Sequence, residues 1–399
     1  VPRPRGGGRA DRDQSGFFAS LPLGATAVTG AIGRSELTDF GGAVSFFGFL
    51  TFLVARCSLP MAAPLVGDEL AGMVRHRRVL FAREDAPASA RAARAWGFRV
   101  IGENRTMPRT PMFAPLPDGP LDVVGDVHGE LDALRALLGH LGYDADGGHP
   151  DGRHLVFVGD LCDRGLDSPG VIELVQRLVG SGRALATLGN HEINLLRGDR
   201  KDGNDWFWSE FGARDAKYEP RAHLPAERRD AVIAFLRTLP LALERGDLRV
   251  VHAAWDLASI AQLRAADPAL SRVEHFKRWE AATEQRIAER GLGQVAQVEY
   301  AEYRERLVDP GQAVPMLMAT AQVDEIRQMG NPIRVVTSGI ERVARRPFFA
   351  SGHWRFVERI RWWDEYDEDP PVVVGHYWRQ FAHLDRASLG KTEENLFTD

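Results

Sequence analysis

The chain has 399 residues, is 44% hydrophobic and 26% charged, and carries a formal net charge of −5. That is the balance of a soluble globular protein of one large domain or two, and the net charge argues against a general nucleic-acid binder. Only two cysteines occur, Cys57 and Cys162, far apart and in unlike contexts, which excludes a disulfide framework and points to a reducing compartment, the cytoplasm.

The charge is uneven. Residues 1–115 hold 15 arginines against 9 acidic residues, leaving +6 there and −11 on the rest. Only four lysines occur in the chain, so arginine clusters carry less weight than usual. Residues 1–84 lack clear periodicity at first and read as a poorly ordered leader or as sequence upstream of a true start. The one long apolar stretch, Gly41 to Ala55, is shorter than the ~20 residues a membrane span needs. No membrane partner is expected. Residues 85–119 read as a helix from Ala86 to Trp96, a strand at Phe98–Ile101 and a Pro-rich linker with Pro108, Pro111, Pro115 and Pro117. Residues 120–399 form the expected catalytic unit.

Within that unit, short apolar runs each stop at a glycine-bounded polar motif. Leu121–Val124 runs into Gly125-Asp126-Val127-His128-Gly129. Leu155–Val158 runs into Gly159-Asp160-Leu161-Cys162-Asp163-Arg164-Gly165, and Ala184–Leu188 into Gly189-Asn190-His191-Glu192. Such runs read as buried strands, and the leucine spacing over 130–141 and the apolar spacing over 171–179 predict helices between them. Residues 197–230 read as a polar loop containing Asp205-Trp206-Phe207-Trp208, either overhanging a site with Arg197, Arg200 and Lys201 or solvated beside an aromatic plug. Leu248–Val251 is a fourth strand, ending at His252. A helical insertion is expected over about 257–330, including an amphipathic helix at 271–290. Residues 331–339 read as a strand. Trp354, Trp362 and Trp363 follow and are expected to pack rather than stack on a base. Pro371–Val374 is the last strand, ending at Gly375-His376. No further strand is evident after it, so the chain reads as truncated, with an exposed sheet edge. No GxGxxG or Walker motif is present.

Open α/β sheets place their sites outside the carboxyl ends of strands. The chain therefore delivers Asp126, His128, Asp160, Asp163, Arg164, Asn190, His191, His252 and His376 to one rim. Asp, Asn and His suit hard or borderline divalent ions, and two such ions can clamp a phosphate. Taken singly, each residue has a plainer reading. Asp126 and Asp160 could be helix N-caps, Asn190 a left-handed turn residue, and His252 and His376 satisfied core histidines. Glu192 at a helix start reads as structural. Cys162 reads as a small buried residue, and His140, His149, His154 and His223 as surface or loop residues. It is the joint order and spacing that point to a metal centre.

These five stations resemble the phosphoprotein-phosphatase-type branch of the calcineurin-like metallophosphoesterases. That branch includes bacterial serine/threonine phosphatases and symmetrical diadenosine tetraphosphatases. The resemblance covers roughly Pro120 to Arg379. It implies an α/β fold, a two-sheet αββα sandwich with a helical insertion, and dinuclear-metal phosphoester hydrolysis by water attack. It further implies that Asp126, His128 and Asp160 hold one ion, and that Asp160, Asn190, His252 and His376 hold the other, with Asp160 bridging. His191 would be the general acid, Asp163 its orienting partner and Arg164 a phosphate clamp. The ions implied are two divalent metals, Mn foremost, with Fe, Zn, Co or Ni admitted by the same donors. The substrate is a phosphoprotein or small phosphoester, or alternatively a dinucleoside polyphosphate. A catalytically silent, metal-bound binding module is the reading from another class. Arg334, Arg342, Arg345 and Arg346 are candidates for a second phosphate clamp. The sequence carries no statement about oligomeric state.

Overall fold

The structure, a computed structural model, describes residues 54–57, 79–80, 111–208 and 213–377. The helix and strand expected over 85–103, most of the apolar stretch at 41–55 and everything after Tyr377 lie outside the described residues. In chain order the elements are β1 (Val54–Cys57), β2 (Val79–Leu80), β3 (Phe113–Pro115), β4 (Leu121–Val124), α1 (Leu131–Leu141), β5 (His154–Phe157), α2 (Ser168–Gly180), β6 (Ala184–Ala186) and α3 (Asn190–Arg197). After a long loop come α4 (Arg229–Leu236), β7 (Ala242–Arg245), β8 (Leu248–Val251), α5 (Leu257–Arg264), α6 (Arg272–Glu289), α7 (Leu292–Tyr303), α8 (Met318–Met329) and α9 (Pro332–Ser338). The hairpin β9 (Glu341–Ala350) and β10 (His353–Arg359) and then β11 (Val372–Val373) follow.

Two mixed sheets face one another. The first has the order β1-β4-β5-β6, parallel except for β1. The second has the order β2-β11-β8-β7-β3, with only β7 and β8 antiparallel. Leu121, Val123, Val156 and Val158 of the first sheet meet Leu243, Leu248, Val250 and Val373 of the second in one buried cluster. Their alternate neighbours Val124, Leu155 and Phe157 turn outward, into the cluster that holds Leu134 and Leu138 of α1 and Val171 and Val175 of α2. A strand's side chains alternate between faces. Strands buried on both faces therefore read as continuous apolar runs, which is why these were legible. The chain thus has the mixed α/β, two-sheet architecture, with helices α5 to α9 between β8 and the β9–β10 hairpin. The outer side of β11 is paired with Val79–Leu80. No described helix is long and apolar enough to cross a membrane.

One expected strand is corrected. Residues 332–338 form α9, not a strand. The β-branched run Ile333-Arg334-Val335-Val336-Thr337 favours a strand locally. It is overridden by its start: the Asn331 side chain accepts from the Ile333 and Arg334 N–H groups, and Pro332 occupies the first turn, where its missing N–H costs nothing.

The outward face of β4 carries a charge. Asp122 is fully buried, with both carboxylate oxygens 2.7 Å from nitrogens of Arg153 and one 2.9 Å from the Tyr143 hydroxyl. Removing one partner of a buried pair strands the other charge, at a cost of about 3–5 kcal/mol. Arg153→Leu is therefore expected to destabilise the fold by that amount in denaturant titration. A loss below about 1 kcal/mol would show that the pair carries little of the fold's stability.

Candidate active site at the strand ends

The turns after β4, β5, β6, β8 and β11 converge. Six non-glycine residues among those described have left-handed φ, and five of them lie here: His128 at 45°, Asp160 at 47°, Asp163 at 75°, Arg164 at 69° and His376 at 64°. Such conformations cost of order 1–3 kcal/mol each and persist only where the surroundings impose them. Here they are imposed by crowding. A Cβ on Gly375 would overlap the Asp126 carboxylate, and one on Gly159 would overlap the Gly189 backbone. The turns after β11 and β6 are therefore drawn against those after β4 and β5.

Asp160 sits at the centre. Its Oδ2 lies 3.7 Å from His128 Nε2, 3.8 Å from His191 Nε2 and 3.2 Å from His252 Nε2. The buried Glu192 carboxylate holds the surrounding backbone, accepting from the N–H groups of Asp160, Leu161 and Gly189, each at 2.9 Å, and from the Cys162 thiol. The N-cap positions of α1 and α2 are held by Glu130 and Asp167, so Asp126 and Asp160 cap neither of the helices that follow them; Asp160 Oδ1 instead accepts the His191 N–H in the first turn of α3. Asp126 accepts the His376 N–H and lies 3.9 Å from His252 Nδ1. Asn190 Oδ1 lies 3.0 Å from His376 Nδ1.

The histidine tautomers follow from their partners. His128 Nδ1 lies 3.0 Å from the Cys162 carbonyl, and His252 Nδ1 lies 2.9 Å from the Val158 carbonyl. A carbonyl only accepts, so each Nδ1 donates and the neutral ring turns its Nε2 lone pair into the pocket. That is how second-sphere carbonyls orient metal-binding histidines.

Beside this cluster stands a carboxylate–imidazole pair. Asp163 is fully buried, and its Oδ2 lies 2.6 Å from His191 Nδ1. Its Oδ1 accepts the Trp206 indole N–H at 2.6 Å, and its own N–H goes to Ser168 Oγ at 2.9 Å. Arg164 spans the rim, with Nη1 3.1 Å from His128 Nε2 and Nη2 3.1 Å from His191 Nε2.

The electrostatics are those of a buried anionic pocket. Burial pushes the Asp126 carboxyl up to about 6, with Asp160 adding to it against His252. Burial acts the same way on Asp160, but His252 and His191 overcome it and hold that carboxyl well below its ordinary range. Burial disfavours charge on His252, yet Asp160 and Asp126 raise it to about 9. His191 is raised too, Asp160 and Asp163 outweighing burial and Arg164. His128 and His376 are pushed well below the usual histidine value, by burial first, then by Arg164 and Arg359 respectively. The Cys162 thiol is raised well above its ordinary value by burial and by Asp163, which leaves it inert.

These residues fit divalent metal ions. The buried Nε2 atom of His376 has no hydrogen-bond partner, and that of His252 faces the Asp160 carboxylate at 3.2 Å. Ligating atoms of His128, Asp160 and His191 lie within 4.8 Å of one another, as do those of Asp160, His252 and His376. Protons and metal ions compete for the same lone pairs, so a pocket that raises His252 favours a dication in the proton's place. Oxygen and imidazole donors without thiolate suit borderline ions.

Every residue singled out in the sequence motifs lies around this pocket. Other expectations fare differently. His149 lies in a loop, as read, but its side chain is only 4% exposed and pins the turn through the Leu141 carbonyl and the Asp151 N–H. Arg197 and Arg334, considered for phosphate, both pair with Glu280, and Arg342 pairs with Glu365. Trp362 and Trp363 are buried against Tyr366 and Tyr377 and serve as core. Three residues were missed. Trp206 and Ser168 hold Asp163, and Arg359 acts on His376 from β10. Trp206 left a trace in the sequence as part of an aromatic cluster, and Ser168 beside Pro169 as a helix start, but no spacing rule ties either to Asp163.

Residues 119–279 match the family described as calcineurin-like phosphoesterase. The chain is 35% identical over 166 residues to the symmetrical bis(5'-nucleosyl)-tetraphosphatase of Ralstonia nicotianae, covering 40% of this chain and 51% of that protein. It is 49% identical over 79 residues to the asymmetrical bis(5'-nucleosyl)-tetraphosphatase PrpE of Halalkalibacterium halodurans, covering 19% and 32%. The chain thus spans from about a third to about half of the length of these curated relatives. Among solved structures it is similar to a metallophosphoesterase from Sphaerobacter thermophilus, at 25% identity and a TM-score of 0.23, covering 37% of this chain and 56% of that one. The chain therefore carries a calcineurin-like phosphoesterase domain, onto which the strand end at His376, beyond the matched residues, is folded back.

Proposed function

We propose that the chain is a dinuclear-metal-dependent phosphoester hydrolase in which water attacks phosphorus directly and His191 protonates the leaving oxygen. The observation that carries this reading is the single Asp160 oxygen facing three imidazole Nε2 atoms, with the Asp163–His191 pair alongside. On this reading Asp126, His128 and Asp160 hold one ion. Asp160, Asn190, His252 and His376 hold the other, with Mn the leading metal. When bound, such ions supply Lewis-acid charge for the phosphate and a nucleophile from water at neutral pH.

The chain's own residues do the rest. The planar Arg164 fork pairs with phosphate oxygens, which draw it off His191 Nε2. Asp163 accepts from Nδ1, so the charged ring is stabilised and its Nε2 proton is aimed at the leaving oxygen. The new O–P bond forms as the old one breaks, and that proton passes to the departing alkoxide, giving phosphate and an alcohol. The substrate is a phosphoprotein or small phosphoester, and the reducing compartment its cysteine usage favours is the cytoplasm. A second reading, hydrolysis of a dinucleoside polyphosphate, is favoured by the curated relatives that bear that name.

A side-by-side assay separates these readings. A phosphopeptide, p-nitrophenyl phosphate and diadenosine tetraphosphate are offered with Mn²⁺ and with a chelator. Metal-dependent cleavage of the phosphopeptide is the expected result, lost on chelation. Cleavage of the dinucleotide alone would transfer the function to polyphosphate hydrolysis. Inactivity on all three with two ions bound would leave a binding module.

A further inference from the structure

We propose that Trp206 is a positioning residue for the acid: its indole N–H fixes the Asp163 carboxylate and, through it, the His191 imidazole. The proposal rests on the reading of the site above. Asp163 has two carboxylate oxygens and two ring donors, one to each, both at 2.6 Å. A buried carboxylate oxygen without a donor is costly. Without the indole N–H, the carboxylate relieves that cost by turning Oδ1 towards His191 Nδ1, which swings the imidazole off its line to the leaving group.

The source of the donor matters. Trp206 lies in the short helical turn Asp205–Phe207, inside the long loop after α3 rather than on a sheet. That loop is tied together by Asp215, which accepts the N–H groups of Gly203 and Asp205, and by the Leu224 N–H bonded to the Trp206 carbonyl. The Gly203 carbonyl in turn accepts the Arg164 N–H. One loop therefore fastens both the Asp163 carboxylate and the Arg164 backbone, from a position 43 residues beyond Asp163. The competing role is packing alone, since the indole is 1% exposed and stands edge-on to Phe207. Trp206→Phe keeps an aromatic ring while removing the donor and part of the indole's bulk, so the leaving-group dependence of the loss, rather than its size, separates the two roles.

The test uses the full chain loaded with Mn²⁺ and two esters. p-Nitrophenyl phosphate has a leaving group that needs little protonation; phenyl phosphate has one that needs more. The Trp206→Phe variant is expected to lose about 10–100-fold in kcat on phenyl phosphate, the scale of second-sphere losses, with KM and p-nitrophenyl phosphate turnover nearly unchanged. In a His191→Ala background it should add no further loss. Equal losses on both esters, or a further loss in that background, would overturn the proposal in favour of packing, as would no change at all. If the variant fails to fold, the unmodified tryptophan still decides. Its indole N–H resonance should lie downfield and move on Asp163→Asn, and an indifferent resonance would overturn the proposal. A parent enzyme inactive on both esters, on the phosphopeptide and on diadenosine tetraphosphate would sink the reading of the site and the proposal together, whereas an active parent with an indifferent variant sinks the proposal alone.

Discussion

Replacing Asp160 by Asn is expected to cost both metal ions and nearly all turnover at once. The carboxylate faces the proposed ligands His128 and His252, and the acid His191, through one oxygen. It is also the foremost of the groups that raise His252 and His191, ahead of Asp126 and Asp163, and so gives the pocket its appetite for cations. An amide keeps the shape and removes the charge. The backbone around it stays pinned, because Glu192 accepts from the Asp160 N–H rather than from its side chain. The loss should therefore be of metal and not of fold. Elemental analysis should read well under one ion per chain, circular dichroism should be unchanged, and turnover should fall by about 10³-fold or more, the several kcal/mol that Lewis-acid stabilisation supplies. Retention of two ions per chain would disprove the bridging role.

The strands that carry the site were legible for a physical reason. β4, β5 and β8 are largely apolar, with Asp122 and Arg249 the charged residues within β4 and β8, and each runs directly into residues of the site. The polar residues just past those stops follow from topology, because parallel strands point the same way. What was illegible lacks any local signal. β2 is only two residues long and pairs with a strand nearly three hundred residues away. The 332–338 segment was misread because β-branched side chains outweigh a cap in any window-based reading, whereas in the fold Asn331 and Pro332 set the backbone first. Trp206 reaches Asp163 through a loop with no period, and Arg359 reaches His376 across a hairpin. Residues that hold the ligands' partners are thus found only once the chain is folded.

His191→Ala bears on a choice that the geometry leaves open between two roles for one ring. His191 Nε2 lies 3.8 Å from Asp160 Oδ2, and the ring forms a potential metal-holding group with His128 and Asp160. Its other nitrogen is bound to Asp163 at 2.6 Å, a carboxylate placed so that the ring gains rather than loses a proton. A ligand needs a free lone pair, whereas an acid needs a proton on that same atom. The raised pKa and the buried carboxylate behind the ring both favour the acid. The alanine variant should therefore keep its full metal content. It should lose about 10²–10⁴-fold on esters with poor leaving groups, the usual contribution of a positioned general acid, and much less on p-nitrophenyl phosphate. Loss of one ion, with equal falls on both classes of ester, would make His191 a ligand and leave the leaving oxygen to be protonated by water.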